Sequence, residues 1–410
     1  MIKKVLLMVM DGLGDRPIDK FGGKTPLEAA KTPNFNKLLQ GSQAGLMYTL
    51  GRGVRPGSDT AHLAILGYPI DQYYAGRGPI EACGAGIKLQ NGDVAFRGNF
   101  GTVDKDWFVL DRRAGRIKDV TVFAKALDGM VIDGVTFIVK PGSAYRAGVV
   151  MRGEGLSHNV SSADSHNAND SIHDVVPLDD SKEAKFTAQV LNKFMKKSYE
   201  ILESMPENKE LEKQGKLKAN FLLLRGAGYY KQLPSFCQKW GFNKAACVAG
   251  GGLYKGVGAF LGMDILPVDG ANAQVDTNLE GKFKTAINAL NEYDFVFLHI
   301  KPTDSLAEDG KPDEKKNFIE KIDKYVALFQ TLDHDTLLVI TADHSTACEL
   351  KAHTADPVPV IFNAKEGIRI DRLKEFGERD CAKGSLGIIE GKDIMPNILN
   401  IMGKLPIIGA

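Results

Sequence analysis

The feature that most constrains this chain is an apolar run at residues 337–340, Leu-Leu-Val-Ile, that leads into Asp343-His344. The run reads as a buried strand, and a strand end holds a carboxylate and an imidazole rigidly where the chain must turn. His353 follows nine residues after His344, so one hairpin-sized segment offers oxygen and nitrogen donors of the kinds that bind Zn, Mn or Fe. A turn-starting aspartate with two solvated histidines is the plainer alternative. The metal reading therefore needs partners elsewhere in the chain.

Two further apolar runs end in the same way. Residues 5–10, Val-Leu-Leu-Met-Val-Met, run into Asp11-Gly12, and residues 294–300 run into Lys301-Pro302-Thr303-Asp304. Open α/β sheets take ligands at the carboxyl ends of their strands, so Asp11, Asp304 and Asp343 are expected at one sheet edge. Glu308 follows Asp304 by one turn if that segment is helical. Ser58 stands where a Gly/Pro-rich loop opens onto a short apolar helix. It is either an ordinary N-cap or a nucleophile at an anion-binding helix start.

Strands and helices alternate over most of the chain, which predicts an α/β fold with a mostly parallel sheet flanked by helices. Between residues 87 and 176 the texture changes to short alternating segments with Gly turns. This stretch is expected to form a smaller α+β domain inserted into a core made of residues 1–86 and 177–410. Residues 73–86 read as turns. The apolar stripe of residues 182–202 predicts a helix that returns the chain to the core, and residues 219–224 read as a strand of the core sheet. Thr25-Pro26 and Thr32-Pro33 look like helix starts.

Lys plus Arg number 52 and Asp plus Glu 51, a balance that gives no global field for nucleic acid or an anionic membrane. Any basic site is local, and the densest is Arg112-Arg113-Ala114-Gly115-Arg116, with Arg97 and Asn99 upstream. It is either a solvated turn or a site for phosphate or carboxylate. His158, His166 and His173 are either loop residues or substrate contacts. The Gly-rich strand ends contain no Walker A motif, which argues against a nucleotide site. The five cysteines are scattered without a Cys-x-x-Cys pair, which argues against a disulfide framework and suggests a reducing compartment. The first apolar run is too short for a signal sequence or a membrane span, so a cytoplasmic location is expected, and homo-oligomerisation is left open.

Taken together, MDGLGDRP, PGSDTAHLAILGY, DRRAGRI, LLRGAG, KPTD, TADHST and ELKAHTADPVPV occur in one order along nearly the whole chain. This set resembles the alkaline phosphatase superfamily, and within it the archaeal-type phosphoglycerate mutases that need no 2,3-bisphosphoglycerate. The resemblance implies an alkaline phosphatase-like core and two divalent ions, Mn, Mg, Co or Zn. Asp11, Ser58, Asp343 and His344 would hold one ion; Asp304, residue 308 and His353 would hold the other. The family position at 308 is usually histidine, and Glu308 shifts preference toward harder ions such as Mn or Mg.

The small phosphorylated substrate would be 3-phosphoglycerate, whose phosphoryl group passes to Ser58 and then to the 2-hydroxyl. Arg225 and Lys255 resemble substrate contacts of the core, Arg112, Arg113 and Arg116 those of the insert, and His166 is a further candidate contact. A closed cleft would keep water from the phosphoserine. The alternatives on the same scaffold are a homoserine kinase-like enzyme, a phosphonate hydrolase, a phosphatase, or a non-catalytic metal-binding relative.

Overall fold

The computed structural model describes residues 1–164 and 170–409, so His166 lies outside the described residues. The chain divides into two compact units, Met1–Tyr74 with Pro234–Ala410, and Ala75–Leu233. In chain order the strands are β1 (Lys4–Met10), β2 (Ser42–Tyr48), β3 (Val94–Val103), β4 (Val109–Asp111), β5 (Met130–Ile132), β6 (Val135–Pro141), β7 (Arg146–Arg152) and β8 (Phe221–Tyr229). They continue with β9 (Ala245–Val248), β10 (Asp264–Ile265), β11 (Phe295–Ile300), β12 (Thr336–Thr341), β13 (Ser345–Ala347), β14 (Ala352–Thr354), β15 (Val358–Asn363) and β16 (Gly387–Glu390).

The first unit is built on one sheet in the order β10-β9-β11-β1-β12-β15-β2-β16. From β10 to β12 every pairing is parallel; β15 runs antiparallel to both β12 and β2, and β16 returns parallel to β2. The central strands are apolar throughout because both faces are covered, and Val5 to Met10 are fully buried. Such burial contributes on the order of 1.5–3 kcal/mol per side chain. Register sets the site. Met10 pairs with Ile300 and Val9 with Thr341, so β1, β11 and β12 deliver Asp11, Lys301 and Asp343 to the same carboxyl edge. The mostly parallel, helix-flanked sheet expected from the sequence is present, and the cap at Thr25 is a full capping box with Glu28. Thr32 precedes its helix without a side-chain cap.

The second unit carries a sheet in the order β4-β3-β7-β6-β5, with β8 pairing antiparallel to β3. Its boundaries correct the expected 87–176. The helix Lys182–Ser204, expected to return the chain to the core, instead lays Val190, Leu191, Phe194 and Met195 on this unit's own hydrophobic core. The rings of Phe194 and Phe137 stack at 3.9 Å. Residues 219–224 likewise join β3 rather than the first unit's sheet, and residues 73–86 contain the helix Arg77–Gly84 rather than turns alone. An apolar stripe records that a face is buried, not which sheet buries it.

Candidate metal centre and anion cluster

Gly12 has φ +61°, and a Cβ there would lie 2.6 Å from the Asp304 Cβ. The glycine lets the turn after β1 press against the helix Pro302–Glu308, which carries Asp304 in its first turn and Glu308 at its end. Asp11, Asp304 and Asp343 are all fully buried. The backbone N–H of Gly12 donates to Asp343 Oδ1 at 3.0 Å, as does that of His344. Gly57 occupies the cap position of the helix Ser58–Ile65, so the Ser58 hydroxyl is not spent on capping. It lies instead 3.2 Å from His344 Nε2.

The antiparallel pair β13–β14 aligns Thr346 with His353, which brings the His344 and His353 rings into a stack at 3.6 Å. His344 Nε2 is 3.1 Å from Asp343 Oδ2 and 3.7 Å from Asp11 Oδ1. His353 Nε2 is 3.3 Å from Asp304 Oδ1 and 3.7 Å from Glu308 Oε1, while its Nδ1 meets the carbonyl of Pro56 at 2.9 Å. All seven donors singled out in the sequence therefore lie in one unit at one sheet edge. Buried Lys315 braces this edge by donating to Gly14 O, Asp15 Oδ2 and Thr346 O.

The electrostatics are those of a cation site. Burial opposes ionisation of Asp11, but Lys301, His299 and His344 outweigh it and hold its carboxyl well below the usual range. Burial also works against the His344 imidazolium; Asp343, Asp11 and Asp304 prevail and push it up to about 9. Glu308 is raised by burial and by the Asp304 charge. Asp343 Oδ2 is buried without a hydrogen-bond donor. Three buried carboxylates with an unsatisfied oxygen and two imidazoles form a donor set that fits divalent cations, and Asp11-Asp343-His344 and Asp304-His344-His353 each gather ligand atoms within 4.8 Å.

The sequence reading missed the layer beneath. His299 Nε2 donates to Asp11 Oδ2 at 3.0 Å, and burial pushes this imidazole down to about 3, which keeps it neutral. Tyr254 stacks on it at 3.5 Å. His62 Nδ1 donates to the Ser58 carbonyl at 2.6 Å and lies 3.6 Å from Asp343 Oδ2. Histidines that orient first ligands in this way tune a metal site as much as the ligands do. Lys255 stands in the first turns of the helix Gly252–Phe260, next to Tyr254.

In the second unit the buried Asp164 takes a bidentate pair from Arg112, at 2.9 and 2.6 Å, and lies 3.7 Å from Arg225 Nε. Arg225 was expected in the core; β8 places it here, in register with Arg97 of β3. Arg97 in turn lies 3.6 Å from Glu81, which also accepts from Arg77 at 3.0 Å. Burial, with Arg77, Arg225 and Arg146 nearby, pushes Arg97 down to about 10. Arg97 Nε and Asn99 Oδ1 are buried without hydrogen-bond partners. Five arginines against two carboxylates leave a local positive excess suited to an anion. Arg113 lies instead over the Tyr145 ring at 5.7 Å, and Arg116 is exposed.

A family model described as 2,3-bisphosphoglycerate-independent phosphoglycerate mutase matches residues 40–208. The chain is 46% identical to the 2,3-bisphosphoglycerate-independent phosphoglycerate mutase 1 of Methanocaldococcus jannaschii, covering 99% of each. It is 48% identical to that of Archaeoglobus fulgidus, covering 98% of this chain and 99% of the relative. Among solved structures, the PH0037 protein of Pyrococcus horikoshii matches with a TM-score of 0.85 at 36% identity over 100% of both chains. The cofactor-independent phosphoglycerate mutase of Thermoplasma acidophilum matches with 0.73 at 33% identity, over 98% of this chain and 100% of that one. Identity of this order sustained from end to end shows that the chain belongs to the 2,3-bisphosphoglycerate-independent phosphoglycerate mutase family.

Proposed function

We propose that this protein interconverts 3-phosphoglycerate and 2-phosphoglycerate through a phosphoserine at Ser58, without 2,3-bisphosphoglycerate. The observation that carries the reading is the Ser58 hydroxyl, excused from capping and held 3.2 Å from His344 beside the buried carboxylates of Asp11 and Asp343. Asp11, Ser58, Asp343 and His344 would hold one divalent ion, and Asp304, Glu308 and His353 a second, drawn from Mn, Mg, Co or Zn. Bound there, the ions lower the pKa of the serine hydroxyl and neutralise charge on the transferring group.

The chain's own residues do the rest. Ser58 Oγ attacks phosphorus and the bond to the 3-oxygen breaks. The proton lost from the serine is balanced by the one gained at the leaving hydroxyl. Glycerate stays bound and presents its 2-hydroxyl, which attacks the phosphoserine, loses its proton and releases Ser58. By the resemblance, Lys255 in the first unit would supply a point-charge contact, and Arg112, Arg225 and the neighbouring Arg97 in the second unit bidentate contacts, for carboxylate or phosphate. Arg113, Arg116 and His166 are further candidates for the same role. No helix among the described residues is long and apolar enough to cross a membrane, and the five unpaired cysteines suit a cytoplasmic setting.

The test is a coupled assay of 3-phosphoglycerate turnover on metal-stripped protein with each ion added back and no 2,3-bisphosphoglycerate. Ion-dependent formation of 2-phosphoglycerate that Ser58→Ala abolishes is the expected result. Release of inorganic phosphate in its place would make the enzyme a phosphatase, and undiminished turnover in Ser58→Ala would remove the serine from the mechanism.

A further inference from the structure

Lys301 is the residue that joins the two halves of the centre. It follows β11 directly, and its Nζ lies 3.1 Å from Asp11 Oδ1 and within hydrogen-bond distance of Asp304 Oδ2. Asp11 belongs to one half of the centre and Asp304 to the other. The oxygen of Asp11 that Lys301 covers is also the one facing His344 Nε2, at 3.7 Å. The other oxygen of each carboxylate is already engaged: Asp11 Oδ2 by His299, and Asp304 Oδ1 by Thr346. The ammonium thus stands on the oxygen that an ion in the Asp11 half would need.

An ammonium and a divalent ion cannot share that oxygen at bonding distance, since like charges so close repel strongly where water is excluded. The carboxylates are sealed, with no exposed side-chain surface, whereas the Lys301 side chain keeps 18% of its surface exposed. The lysine therefore has an open side toward which it can withdraw. Its Nζ also lies 5.8 Å from the centroid of the Tyr254 ring.

We propose that Lys301 is a built-in counter-cation of the metal-free centre, holding Asp11 and Asp304 in place until an incoming divalent ion displaces it from Asp11. The lysine stabilises the empty arrangement and, by the same interaction, weakens ion binding; the two effects are linked and of opposite sign. This proposal rests on the two-ion reading given above. It separates Lys301 from a purely structural ion-pair partner, whose loss would leave two carboxylates less well positioned and so weaken binding.

The experiment is a Mn²⁺ titration of the full-length, metal-stripped protein, without substrate, followed by the electron paramagnetic resonance signal of free Mn²⁺. Thermal melting is recorded with and without the ion. Wild type is expected to bind two ions per chain. Lys301→Met is expected to bind the ion in the Asp11 half about tenfold more tightly. Its metal-free melting temperature should be lower than that of wild type, and the rise on adding Mn²⁺ larger. Equal or weaker binding by Lys301→Met, with two ions on wild type, overturns the role of Lys301 and leaves the two-ion centre standing. Fewer than two ions on wild type overturns both. If Lys301→Met does not fold, Lys301→Gln, which keeps a donor without the charge, is judged by the same outcomes.

Discussion

The hydroxyl of Thr346 donates to Asp304 Oδ1 at 2.6 Å, and Thr346 Oγ1 also stands 3.1 Å from His344 Nδ1. One side chain thereby fixes a carboxylate of one half of the centre and an imidazole of the other. Thr346→Val keeps the shape and removes both contacts. It is expected to weaken Mn²⁺ binding by about 10- to 100-fold, the usual loss when such supporting contacts go. Equilibrium dialysis against Mn²⁺ measures this directly, and an unchanged affinity would show that the hairpin backbone alone orients the ligands.

In the proposed two-ion centre, Glu308 would give the second half an oxygen donor where the family it resembles is expected to have histidine. Its side chain is half exposed and its Oε1 lies 3.7 Å from His353 Nε2. Glu308→His should move the selectivity of that half toward Zn and Co and away from Mn and Mg, by about tenfold in relative affinity. Competition between Zn²⁺ and Mn²⁺ for the stripped protein reads the ratio. A ratio unchanged by the substitution would place position 308 outside the coordination sphere.

In the second unit, Asp164 orients two arginines at once. Asp164→Asn removes the charge that aligns Arg112 and Arg225 while preserving the side-chain shape. The expected result is a rise of about tenfold in KM for 3-phosphoglycerate with Mn²⁺ binding unaltered, because charge-assisted contacts are lost only on the anion side. A fall in kcat alone would point away from substrate positioning.

A pH dependence of stability follows from Glu378, whose carboxylate accepts from Thr25 Oγ1 at 2.8 Å and from the Asp15 N–H at 3.3 Å. Burial, reinforced by Glu28, pushes it up to about 7 from an ordinary 4.5. The folded state therefore holds this proton more tightly than the unfolded state does. Its contribution is complete below the ordinary value and is lost as pH rises toward about 7. Urea midpoints of the metal-free protein should fall across that interval, and Glu378→Gln should flatten the slope. Parallel slopes in the two proteins would exclude Glu378 as the cause.

The parts legible in the sequence were those whose signal is local. Asp11 and Asp343 follow uninterrupted apolar runs and Asp304 follows one broken only by His299, and strands buried on both faces announce themselves in that way. His62 and His299 were not legible for the converse reason: one lies inside an apolar helix and the other inside a buried strand, where a lone histidine looks like core. Arg97, Arg146 and Arg225 are scattered in sequence and gather only through the pairing of β3 with β7 and β8, and Arg77 joins them from the helix Arg77–Gly84. That pairing was itself misread, because Phe221 to Leu224 are apolar enough for either sheet. Periodicity gives each segment a buried face, and strand partnership comes only with tertiary structure.

Strand β1 sits between β11 and β12 in the sheet, yet it is separated from both by most of the chain. During synthesis its apolar side chains leave the ribosome long before those of β11 and gain a sheet partner only once Phe295–Ile300 has followed. At roughly 5–20 residues per second, that interval lasts on the order of 15–60 seconds. The contiguous strands β3 to β8 are complete well before then. The nascent chain therefore carries β1 as an apolar segment without a sheet partner until β11 has been made.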